Sequence, residues 1–151
     1  MHAMRRLSLL LLASTCALGV VACGGSSSKA LTGAQYQAKV SHLCVLAGDG
    51  FHELHLTLSM ADWRRHADEI TAINDTFHRK VTALVPPPEV QHNADSFIAA
   101  YQKVFADDLA AIDAAKANDA KKFHAALSKA GQDVAATYPW ASAIGAGGCY
   151  S

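Results

Sequence analysis

The stretch WRRHADEITAINDTFHRKVTALVPPP, residues 63–88, decides the fold class. Its core-facing positions fall at Trp63, Ala67, Ile70, Ile73 or Asn74, Phe77, Val81 and Leu84. Steps of three and four lay one stripe along an amphipathic helix. Ser59, followed three residues later by Asp62, resembles a capping box with the shorter acid and marks the start. The three prolines 86–88 mark the end, because proline disfavours helix in the residue before it. No segment of the chain alternates at period two for long enough to propose a strand.

The same spacing extends outward in both directions. Upstream, Tyr36, Val40, Leu43, Ala47, Phe51, Leu54 and Leu58 form one stripe. Gly48 and Gly50 fall inside it, each costing ~1 kcal/mol relative to Ala. The phase passes through them unshifted, so one continuous, locally weak helix is expected in place of a break. Downstream, a third stripe runs Val90, Ala94, Phe97, Tyr101, Phe105, Leu109, Ile112. Asn118 and Asp119 supply an N-cap for a fourth, made of Phe123, Leu127, Ala130, Val134, Thr137, Ala141 and Ile144. Pro139 removes a hydrogen bond inside that helix, where a kink is expected, and the glycines of residues 145–148 end it. Four stripes of similar length with short connectors predict an all-α fold, an antiparallel up-down-up-down four-helix bundle.

Residues 1–22 have a different character. Arg5 and Arg6 precede an apolar run, residues 7–21, which is the layout of a secretory signal peptide. A transmembrane helix is the competing reading. The run is short of the ~20 residues a bilayer span needs, and small polar residues interrupt it. The tetrapeptide VVAC, residues 20–23, resembles the lipobox of bacterial lipoproteins. That resemblance implies cleavage between Ala22 and Cys23 and a diacylglyceryl group on the Cys23 sulfur. Two acyl chains give stable anchoring where one is marginal. The Gly/Ser string of residues 24–28 then reads as a flexible tether. The expected organisation is a signal peptide over 1–22, a lipidated cysteine and tether over 23–31, and a helical domain over 32–151.

Cys16 falls in the signal segment and Cys23 takes the lipid, which leaves Cys44 and Cys149. In an exported domain disulfides persist, and two cysteines allow one pairing. In an up-down-up-down order the last helix lies beside the first, and the glycine-rich tail can bring Cys149 to Cys44. Loss of Arg5 and Arg6 leaves two more acidic than basic residues, with no block of one sign. Nucleic acid, which calls for a basic stripe, is not an expected partner.

The chain also resembles small secreted lipoproteins of actinobacteria. The shared features are the lipobox, Tyr36, Val40, Leu43 and Cys44 on the first helix, and the Leu-Val-Pro-Pro stop of residues 84–87. Asn118 and Asp119 before the last helix, and Gly145 and Cys149 at the end, complete the likeness. It covers nearly the whole mature chain and implies a helical bundle with a disulfide, and no activity.

Candidate chemistry is sparse. His52 and His55 are three apart, on one helical face, and a hairpin about Ser59 brings His66 level with His52. Three neutral imidazoles can bind Zn²⁺ or Cu²⁺. Against this, all three flank the apolar stripe and no carboxylate or cysteine accompanies them, so no metal site is assigned. Asp68 with Glu69, and Asp107 with Asp108, are adjacent pairs that point in different directions and are read as solvated faces. Tyr138 and Trp140 either line an apolar slot or pack around Pro139, and packing is preferred. No nucleophile, base and orienting group can be placed together, so an enzyme is not expected. The expectation is a cofactor-free lipoprotein on the extracytoplasmic face of the cell membrane, binding or scaffolding an envelope protein or small ligand. A metal or haem carrier is the alternative.

Overall fold

The computed structural model describes residues 30–149. The signal segment 1–22, the cleavage and lipidation site at Ala22 and Cys23, and the tether up to residue 29 lie outside the described residues. Ala30 and Leu31 lie inside them. The Leu31 N–H donates to the Val85 carbonyl at 3.0 Å and its side chain packs on the core.

All regular structure among the described residues is helical. Helix α1 is Gly33–Glu53, α2 is Met60–Arg65, α3 is Ala67–Thr82, α4 is Gln91–Lys116 and α5 is Ala120–Ala143. Single 3-10 turns occupy Pro88–Val90 and Gly147–Cys149. Helix α1 runs through Gly48 and Gly50, and it stops at Glu53, so Leu54 and Leu58 belong to a loop. The second stripe is carried by two helices. His66, at φ −101° and ψ 20°, breaks the helix for one residue, while the buried positions Trp63, Ala67, Ile70, Asn74, Phe77 and Val81 keep their phase across it.

The ends of the helices follow local chemistry. Thr32 and Gln35 make a full capping box on α1: the Thr32 hydroxyl accepts from the Gln35 N–H, and the Gln35 side chain accepts from the Thr32 N–H. Ser59 caps α2 through the Asp62 N–H, but the Asp62 carboxylate turns to the Thr57 hydroxyl and to Arg65. Asn118, at φ 55°, ends α4, with the Asp119 N–H reaching back to the Ala114 carbonyl; the Asp119 side chain then caps α5. Gly145, at φ 72°, ends α5 in the same way, with the Ala146 N–H on the Ala141 carbonyl. Helix α5 continues through Pro139.

Packing yields two apolar cores, one toward each end of the molecule. The first joins Tyr36 and Val40 of α1, Phe77 and Val81 of α3, Ala94 and Phe97 of α4, and Ala141 and Ile144 from the end of α5. The second joins Trp63, Ala67 and Ile70 to Ala111, Ile112 and Ala115 of α4 and Phe123 of α5. Phe97 and Phe123, one in each core, are fully buried, and truncating either to Ala costs on the order of 3–5 kcal/mol. Helix α5 lies mainly along α4, and α1 lies on α3, while α1 and α5 barely meet along their lengths. The Cys44–Cys149 disulfide joins α1 to the turn after α5, with Cα atoms 4.9 Å apart. Gly148 makes this approach possible, since a Cβ there would stand 2.5 Å from the Ser41 carbonyl oxygen.

Candidate binding cavity

Between the two cores, where α1 and α5 stand apart, lies a cavity of about 430 Å³. That volume falls within the range of small-molecule sites. Helix α1 contributes Cys44, Ala47, Gly48 and Phe51 to one wall, and α5 contributes Leu127, Ala130, Gly131, Val134 and Thr137 to the other. Phe77, Phe97, Tyr101 and Val104 form the floor, Trp63 one end, and Gly148 with the disulfide the other. Leu58, 77% exposed in the loop after α1, also borders the cavity. A Cβ built at Gly48 or at Gly131 meets no atom within 4 Å, so both glycines leave open volume. Gly50 differs: its Cβ would lie 3.2 Å from the Ile73 side chain.

One polar cluster sits in this apolar lining. The Tyr101 hydroxyl donates to Asn74 Oδ1 at 3.0 Å, and Asn74 Nδ2 donates to Asp108 Oδ2 at 2.9 Å. Asn74 is 1% exposed and Asp108 8%. Burial pushes the Asp108 carboxyl up to about 6, the Asn74 hydrogen bond works against that, and the charge on Asp107 adds to the rise. Burial, with the Asp108 charge second, also raises the Tyr101 hydroxyl above its ordinary value. Asp107 faces elsewhere, toward Lys129 at 3.0 Å, and Lys129 also bridges to Asp133 at 2.6 Å.

This arrangement corrects two sequence readings. Asp107 and Asp108 are buried, not a solvated face. The cause is the phase of α4, which buries Phe97, Val104, Asp108, Ala111 and Ala115 and leaves Leu109 38% exposed. Following Phe105 and Leu109 keeps to apolar residues and drifts off the buried face one turn too early. At position 73 or 74 it is Asn74 that is buried. The sequence signal for the cluster was present: polar residues at Asn74 and Asp108, in helical phase with Phe77 and Tyr101.

The three histidines are not brought together as expected. His52 lies in the last turn of α1, but His55 follows the helix end at φ 46°, so the two do not share a helical face. They flank a separate shallow depression with Gly48, Phe51 and Leu56. His66 sits at the α2–α3 break, its Nδ1 buried without a hydrogen bond and 3.9 Å from Glu69. No group of three or more His, Cys, Asp or Glu side chains among the described residues is placed to hold a metal ion. Tyr138 is 42% exposed and Trp140 packs on the first core beside His92; neither lines the cavity, whereas Thr137 does. None of the helices formed by the described residues is long and apolar enough to cross a membrane. The chain matches no protein-family model, no curated protein and no solved structure.

Proposed function

We propose that this chain is an envelope lipoprotein, held by a lipid on Cys23 to the extracytoplasmic face of the membrane, that binds a small apolar molecule between α1 and α5 without transforming it. Its helices follow an up-down-up-down order in which α2 and α3 are one second helix broken at His66. The observation that carries the binding reading is the open, largely apolar cavity between α1 and α5, to which Gly48 on one wall and the exposed Gly131 on the other bring no side chain. The lipid anchor rests on the sequence VVAC and the tether after it.

Two experiments test the two halves. Native mass spectrometry of the protein, gently extracted from its own envelope, is expected to find a small-molecule adduct on the wild type and none on Gly48→Leu/Gly131→Leu. Unliganded mass in both proteins contradicts the binding reading. Labelled palmitate is expected to enter the wild type and not Cys23→Ser, and equal labelling removes the anchor.

A further inference from the structure

The lining of the cavity is chemically lopsided. Among the described residues Asp108 is its single carboxylate, and no Lys, Arg or His lines it. The hydrogen bonds of the cluster run one way: Tyr101 donates to Asn74, and Asn74 donates to Asp108 Oδ2. Among the described residues the only hydrogen bond to the Asp108 carboxyl is this one on Oδ2, so the chain of donors ends on a carboxyl group that lines the cavity with Oδ1 still able to accept. A buried carboxylate without a paired cation is costly. Lys129, which pairs with the neighbouring Asp107, is shared with Asp133 and does not line the cavity. The cavity also carries five aromatic side chains, Phe51 from α1, Trp63 from α2, Phe77 from α3, and Phe97 and Tyr101 from α4, beside aliphatic residues such as Val104 and Leu127. Aromatic faces attract cations through the ring quadrupole.

We infer that the ligand is a small hydrophobic amine, its apolar body between α1 and α5 and its ammonium group donating to Asp108 Oδ1. This rests on the binding reading above and adds the chemical class of the ligand. A neutral hydrocarbon would leave the carboxylate unpaired, and an anion would be repelled by it. The charge-assisted hydrogen bond and the aromatic faces both favour the ammonium form.

Trp63 provides the readout. The chain has two tryptophans, and Trp140 does not line the cavity. In the full-length lipidated protein, carried in phosphatidylcholine nanodiscs, Trp140→Phe leaves Trp63 as the only indole. Its emission is titrated with 4-phenylbutylamine and with pentylbenzene, the neutral molecule of the same shape, at pH 8 and pH 5, and with 5-phenylpentanoate. An alkylamine stays protonated at both pH values, as Lys does. Near Asp108, Asp107 is paired with Lys129, Tyr101 titrates far higher, and α1, α2 and α3 bring no charge to the cavity. Among the described residues that line the cavity, Asp108 is the one whose charge changes between pH 8 and pH 5.

The expected result is a preference for the amine over pentylbenzene that is at least about tenfold greater at pH 8 than at pH 5. Asp108→Asn abolishes that difference, and the carboxylate probe is the weakest of the three at pH 8. The wild-type pH comparison decides the matter even if the variant does not fold. A preference unchanged between pH 8 and pH 5, or retained in a folded Asp108→Asn, overturns the amine and leaves the cavity as a binding site. If no probe moves Trp63, the binding reading fails and the amine falls with it.

Discussion

At Asp108 the fold holds a carboxylate where burial works against its charge. A raised folded-state pKa has a definite sign in stability. Below the unfolded value near 3.8 the group is neutral in both states and costs nothing. As pH rises toward about 6 the unfolded chain ionises first and stability falls, and above about 6 the full penalty stands. At 1.36 kcal/mol per unit, that penalty is on the order of 3 kcal/mol. Asp108→Asn keeps an acceptor for Asn74 and removes the charge. Its denaturant midpoint is expected to exceed that of the wild type at pH 8 and to converge with it near pH 4. Asp62, Asp119 and Asp133, held below the usual carboxylate range by their hydrogen bonds, lose stability in the opposite sense on acidification. They are common to both proteins, so the difference isolates Asp108. Parallel midpoints across this range would show that the carboxyl is not buried as described.

At the scale of single helices, α1 carries a comparison within itself. Gly48→Ala gains helix propensity of up to ~1 kcal/mol and meets nothing in the cavity. Gly50→Ala gains the same propensity but must push back Ile73, 3.2 Å from the new methyl. Thermal melts are expected to rank Gly48→Ala above Gly50→Ala, and the reverse order would place the open volume on the wrong glycine. Helix starts and stops were legible because they depend on neighbours: Ser59 and Asp119 cap, Gly145 terminates, and the prolines at 86–88 stop the second stripe. The Thr32–Gln35 box is equally local, a Thr followed three residues later by Gln. The phase of α4 was not legible from apolar residues alone, because its buried face carries Asp108 and its exposed face carries Leu109. A helix that turns a carboxylate inward is identified by what stands opposite it, here Asn74, and that is a tertiary fact. The histidine face failed for a related reason: α1 ends at Glu53, and helical spacing places His55 only while the helix continues.

For the whole molecule, the cavity exists because α1 rests on α3 and α5 on α4, with two cores holding the ends. The Cys44–Cys149 bond spans a sequence separation of 105 residues and ties α1 to the tail of α5 across that gap. Chain entropy gives a loop of about 100 residues up to ~4.7 kcal/mol. Reduction is expected to lower the denaturant midpoint markedly, and an unchanged midpoint would mean that the two helices are held by other contacts. The central claim is that the space between α1 and α5 receives a ligand. Its most direct test is a pentylbenzene titration of Trp63 emission in the Trp140→Phe protein, with and without Gly48→Leu/Gly131→Leu. A saturable shift that the two leucines abolish, with helicity by circular dichroism unchanged, is the predicted result. A shift of equal size and midpoint in the filled protein, or no shift in either, contradicts it.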